Sequence, residues 1–205
     1  TRNAADAQAL VDTAEASHQE VHNMLLRMRE LAVQAANGTL TDADRTALNT
    51  EVTALETEIT NMSNNTQFGG ISLAASSALK FQIGVNNGDA NTVSHTFAKF
   101  TATAISANVD VTSAGSARNA ISTIDAAIST ISTRRGALGA LSNRLSSVIA
   151  NLDNIKVNLS SARGRIQDTD FAVETSNLAK SQIMQQAATA MLAQANASKQ
   201  TVLAL

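Results

Sequence analysis

The chain has 205 residues, a net charge of −2, no cysteine and no proline, and 2% aromatic residues against 44% apolar ones. The lack of cysteine excludes disulfides, thiolate metal sites and a thiol nucleophile, and the near-neutral charge leaves no footprint for nucleic acid or an anionic membrane surface. Without Trp or Tyr to fill a thick core, and without the residue that breaks helices most strongly, the composition suits thin layers of long helices.

The first helix is predicted over 2–37, where Leu10, Ala14, Ser17, Val21, Met24, Met28, Leu31 and Ala35 alternate in steps of four and three. That spacing is a heptad seam, so Met24 and Met28 read as core. Gly38 stands where a C-terminal glycine would end the helix. Thr41, with Asp42 and Asp44 behind it, reads as an N-cap with acids in the first turn. A second helix over 41–62 follows, with a seam of Leu48, Val52, Leu55, Ile59 and Met62. The short turn between the two makes an antiparallel hairpin of helices.

Asn64, Asn65, Gly69 and Gly70 end the helical pattern. Leu79, Phe81, Ile83 and Val85 then alternate with small or polar residues, and Val93, His95 and Phe97 resume the alternation beyond Asn86-Asn87-Gly88-Asp89. This predicts a β-hairpin over about 79–98. Four of the five Phe lie between 68 and 100, which points to a small core between hairpin and helices. Residues 101–115 show no period and read as a loop or weak strand.

The third helix, over 116–166, has the strongest period. Ile124, Ile131, Leu138, Leu145, Leu152, Leu159 and Ile166 recur every seven residues, flanked by Ile121 and Ile128 early and by Leu141, Val148, Ile155 and Ala162 later. Gly136 and Gly139 sit where the flank changes side, and read as a point of close backbone approach. Some 50 helical residues span roughly 75 Å. The fold class predicted is mainly α: an elongated antiparallel helical rod of two N-terminal helices and one long C-terminal helix, with a small β-hairpin region. Beyond 167, Asp168, Asp170 and Glu174 form an acidic helix start. Leu178, Ile183, Met184, Ala187, Met191, Leu192 and Ala195 then spread around the helix. Such a helix needs partners.

No residues assemble into enzyme chemistry. His18 and His22 share a helix face, but Gln19 stands where a zinc-protease helix needs Glu, so the pair reads as a solvated face and no metal or cofactor is expected. Gly84–Gly88 lacks the helix and Lys of a phosphate loop. No serine sits in a nucleophile elbow, and no apolar run is long enough to cross a bilayer. The chain starts at Thr1 without a signal-peptide pattern, which reads as a fragment. Arg27, Arg29 and Glu30 form a charged face available for contact.

Arg29–Asn37 (RELAVQAAN) closely resembles bacterial flagellins. The resemblance continues at Thr66–Gly70, Ile83–Gly88, Asn158–Phe171, Gln182–Ala187 and Leu192–Asn196, in order along nearly the whole chain except 101–115. It implies a rod domain over 1–166 and the C-terminal part of an inner-tube domain over 167–205. It implies a structural, non-enzymatic subunit, exported through the flagellar type III apparatus, that polymerises into the extracellular filament for swimming. A hook–filament junction protein is the alternative. The implied partners are further copies of the chain, an export chaperone on the C-terminal segment, and the filament cap and hook-associated proteins. In relatives the rod patch packs subunit on subunit and is recognised by the flagellin-sensing Toll-like receptor. The matching positions are Arg27, Leu31, Gln34 and Glu51, while Leu26 stands where receptor-active relatives carry Gln. The C-terminal assembly or chaperone contacts would be Leu178, Ile183, Met184, Ala187, Met191, Leu192 and Ala195.

Overall fold

The computed structural model describes residues 1–74, 78–103, 109–167 and 170–203, with side chains placed as far as Ala197. The fold is mainly α. Four helices dominate: α1 (Arg2–Ala35), α2 (Asp42–Asn65), α3 (Ala114–Gln167) and α4 (Phe171–Leu203). Between α2 and α3 lie two antiparallel strand pairs: β1 (Gln67–Phe68) with β2 (Ile71–Ser72), and β3 (Ala78–Gln82) with β4 (Thr92–Thr96). The chain forms two compact units, Thr1–Asp153 and Asn154–Leu205.

Within the first unit, α1 runs antiparallel to both α2 and α3. Arg27 meets Glu51 of α2, while Gln8, Glu15 and Arg29 bond Ser142, Arg135 and Asp125 of α3 at 2.6, 2.7 and 2.6 Å. The buried stripe of α1 is Ala4, Ala7, Val11, Ala14, His18, Val21, Leu25, Met28, Ala32 and Ala35, joined by Leu10 and Leu31. Its steps alternate three and four without a miss, as a two-sided seam requires. This corrects the expected register. His18 and Leu25 occupy core positions, while Ser17 and Met24 are only half-buried. The sequence misled because one seam position carries a histidine, which scores as polar.

His18 is therefore not on a solvated face. Its ring lies 4.7 Å from that of Phe100, and its Nδ1–H donates to the Ala14 carbonyl at 2.8 Å. Burial pushes its pKa below the usual 6.5; the Ala14 bond and Glu15 oppose that shift, while Arg134 and Arg135 of α3 reinforce it. His95, also lowered by burial, lines the same small cavity with Arg134, Phe97 and Leu138. Below about pH 6.5 the unfolded chain takes a proton on His18 that the folded chain refuses. The stability this imidazole protects is complete above that pH and is lost as pH falls through the lower, folded value. Thermal unfolding should thus fall more steeply between about pH 7 and about pH 5 in the natural chain than in His18→Gln. Equal slopes would remove His18 as the source.

The α1–α2 turn also departs from expectation. Gly38 does not adopt the left-handed conformation, since positive φ occurs at Gly69, Gly70 and Gly88 alone among the described glycines. Arg45 takes over the role of the helix C-cap, donating from Nε to the Ala35 carbonyl at 3.0 Å and from Nη2 to the Asn37 carbonyl at 2.9 Å. Thr41 does cap α2 as the sequence indicated. Its Oγ1 accepts the Asp44 N–H at 3.3 Å, and the Asp44 carboxylate accepts the Thr41 N–H at 3.0 Å. The Thr41 hydroxyl also donates to that carboxylate, at 2.7 Å, and this bond first, with the Thr41 N–H bond second, holds the Asp44 carboxyl below the usual carboxylate range. Arg45, Val52 and Ile59 then repeat every seven residues on the buried side of α2.

The hairpin forms with Leu79 opposite His95 and Phe81 opposite Val93. Its strands stop at Gln82 and start again at Thr92, so Ile83 and Val85 belong to the connecting loop, which closes through a 3-10 turn at Asp89–Asn91. Gly84 is required there, because a Cβ would collide with the Asn91 side chain. Phe68, Leu79, Phe81, Val93 and Phe97 pack on Leu10, Val11, Leu138 and Leu145, the small core that the Phe cluster indicated. A second core joins α1, α2 and the first half of α3 around Leu25, Met28, Ile59, Phe100, Ile124 and Ile131. Gly136 and Gly139 are exposed, and a Cβ at either would meet open space; they do not serve a close approach. Of the loop at 101–115, residues 104–108 lie outside the described part.

The heptad stripe of α3 changes character along its length. Ile124, Ile131, Leu138 and Leu145 are buried, Leu152 is half-buried, and Leu159 and Ile166 are exposed. The division between compact units falls at Asp153/Asn154.

Candidate interaction surfaces

The first surface lies on the outer face of α1 and the adjoining face of α2. Arg27 donates from Nε to Glu51 at 2.8 Å and from Nη1 to Glu30 at 3.1 Å. The Glu51 bond, then the Glu30 bond, raises the Arg27 pKa above its usual value. All three groups are about half exposed or more, so the pairs order the surface and add little stability. Gln34 is exposed one helical turn beyond Glu30. Leu31 is a correction. It is 1% exposed and part of the core between the helices, so it supports the surface from beneath and is closed to direct contact.

Two apolar residues do stand on this face, Leu26 at 42% and Val33 at 49% exposure. With Glu30 they follow the spacing of one helical stripe. Val33 was missed in the sequence because it lies in a run, Leu31-Ala32-Val33, where period alone assigns apolar residues to the core. Beside the patch, Arg29 pairs with Asp125 of α3 at 2.6 Å, so this arginine fastens two helices.

The second surface belongs to the second compact unit. Asp170 caps α4, its Oδ1 accepting the Ala172 and Val173 N–H groups at 3.0 and 3.4 Å; Asp168, expected to share this role, lies outside the described residues. Leu178, Ile183, Met184, Ala187, Met191, Leu192 and Ala195 are all exposed. Met184, Ala187, Met191 and Ala195 share one face, with Leu192 and Ile183 on its two flanks and Leu178 further round the helix. No described side chain between Asn154 and Ala197 is buried. Among the described residues no group of side chains could hold a metal ion, and no helix is long and apolar enough to cross a membrane.

A surface built of exposed Leu, Ile and Met on bare helices has the chemistry of association. Residues 1–78 match the bacterial flagellin N-terminal helical region, and residues 121–205 match the bacterial flagellin C-terminal helical region. The chain belongs to the bacterial flagellin family. It is 41% identical to the flagellin of Halalkalibacterium halodurans over 209 aligned residues, covering 100% of this chain and 76% of that one. The crystal structure of Bacillus cereus flagellin superposes with a TM-score of 0.66 at 28% identity, covering 78% of this chain and 94% of that one. A putative flagellar hook-associated protein from Vibrio parahaemolyticus shares the fold, at a TM-score of 0.65 and 16% identity, over 80% of this chain and 88% of that one. Flagellins are structural proteins of the extracellular bacterial flagellar filament, and this flagellin is read accordingly.

Proposed function

We propose that this flagellin grows the filament by self-association through its second compact unit, with the Arg27–Gln34 and Glu51 surface as a further contact between subunits. The observation that carries the reading is the run of exposed large apolar side chains from Ile155 to Leu192, which includes Leu159, Ile166, Phe171, Ile183, Met184 and Met191. An exposed array of this size is a cost in water that association with like surfaces removes. In this reading residues 1–166 are the rod domain and 167–205 the C-terminal inner-tube segment, which an export chaperone would cover before assembly. The filament cap and hook-associated proteins would meet the same helices.

The charged patch is also the candidate surface for the flagellin-sensing Toll-like receptor. Arg27 and Glu51 are accessible and mutually ordered, as a rim contact requires. The full-length protein, offered short filament seeds, should lengthen them under the electron microscope. A protein that stays monomeric at every concentration and salt overturns the proposal. One that binds seed ends and stops their growth establishes the hook–filament junction reading instead.

A further inference from the structure

The sequence carries two Asn-Gly pairs, Asn37-Gly38 and Asn87-Gly88. In this dipeptide the side-chain amide and the following backbone nitrogen approach each other with least hindrance, because glycine has no Cβ. The two pairs sit in different surroundings. Asn37 is clamped. Its Oδ1 accepts the Thr39 N–H at 3.2 Å, its own N–H donates to the Gln34 carbonyl at 3.1 Å, and its carbonyl accepts from Arg45 Nη2 at 2.9 Å and from Leu40 N–H at 3.4 Å. Asn87 lies in the exposed loop after β3, and among the described residues neither its backbone nor its side chain makes a hydrogen bond. Both its neighbours are tied: the Asn86 carbonyl accepts from Gln82 Nε2 at 3.0 Å, and the Gly88 carbonyl accepts the Asn91 N–H at 3.0 Å. Gly88 has a φ of 146°, with open space where a Cβ would be.

We propose that Asn87 is a site of spontaneous deamidation and isomerisation in the folded chain, and that Asn37, in the same dipeptide, is protected by its hydrogen bonds. The Gly88 nitrogen gives its proton to a solvent base and attacks Cγ of Asn87. The new N–Cγ bond closes a five-membered imide as the bond from Cγ to the side-chain nitrogen breaks, and that nitrogen takes up a proton and leaves as ammonia. Water then opens the ring. Cleavage at Cγ gives aspartate; cleavage at the Asn87 backbone carbonyl gives isoaspartate, whose main chain runs through Cβ and Cγ. Nothing is oxidised or reduced. Either product places a new carboxylate two residues from Asp89, which pairs with Lys80 across the hairpin at 3.8 Å. At Asn37 the same attack requires Cγ to leave the Thr39 bond and the peptide to rotate against the bonds on its carbonyl.

The test is peptide mapping by mass spectrometry of the whole chain, incubated warm at mildly alkaline pH, once folded and once in denaturant. In the folded chain Asn87 should convert about tenfold faster than Asn37, a barrier difference of about 1.4 kcal/mol. In denaturant the two rates should converge. Equal rates in the folded chain, a faster Asn37, or no conversion at Asn87 while the denatured chain converts both would overturn the proposal.

Discussion

Leu145→Ala should cost the folded chain about 3 kcal/mol, while Leu159→Ala, two heptads along the same stripe of α3, should cost less than about 0.5 kcal/mol. Leu145 is 0% exposed and packs in the core with Leu10, Val11, Phe97 and Leu141, whereas Leu159 is 67% exposed. Truncating the first leaves a void among side chains that cannot all collapse into it. Truncating the second removes atoms that already face water. Urea unfolding measures this directly, as a shift of midpoint at unchanged slope for Leu145→Ala. The order should reverse in assembly. Leu159→Asp should leave the unfolding midpoint in place and stop seeded growth, because a carboxylate would be buried wherever a second subunit covers the stripe. If Leu159→Ala cost as much as Leu145→Ala, the stripe would be covered within the single chain, and the association reading would lose its main support.

That pair of residues also marks how far the sequence could be read. Period identifies the face a residue lies on and says nothing of what stands opposite. The seven-residue repeat from Ile124 to Ile166 is unbroken in the sequence, yet only its first part finds α1 and the hairpin against it. The helices themselves were legible because their apolar spacing, the Thr41 cap and the break at Gly69-Gly70 agree with one another. The short β1–β2 pair was not, since two-residue strands leave no alternation to detect. The burial of His18 is not legible in the sequence because its residue type is polar while its position lies on the seam; a buried imidazole that donates to its own helix satisfies itself without any signal from neighbours. Of the residues the resemblance assigned to the patch, Arg27, Gln34 and Glu51 are exposed in the single chain. Leu31 falls beneath them, because a motif names residues together without separating those that touch a partner from those that hold the helix in place.

Arg45 is the position where one substitution should loosen both the fold and that surface. Arg45→Ala should lower stability by about 3 kcal/mol, since it removes two charge-assisted bonds to the Ala35 and Asn37 carbonyls, each worth about 1.5 kcal/mol. The ion pair with Asp42, at 3.0 Å, adds little because that carboxylate is almost fully exposed. Arg45→Lys keeps the charge but lacks the planar fork that spans two carbonyls, so it should recover only part of the loss. Arg45→Met keeps much of the apolar stem at this seam position and removes the guanidinium from both carbonyls, which separates packing from hydrogen bonding. Midpoints in urea order the three variants, and faster amide exchange over the last turn of α1 locates the damage. A loss below about 0.5 kcal/mol in Arg45→Ala would show that water replaces the guanidinium at no cost. The guanidinium ties the first turn of α2 to the end of α1, and so supports the alignment in which Arg27 meets Glu51. Losing it should widen the dispersion of that ion pair while leaving Leu26 and Val33 on the surface, so partner binding that depends on the charges should weaken before binding that depends on the apolar stripe.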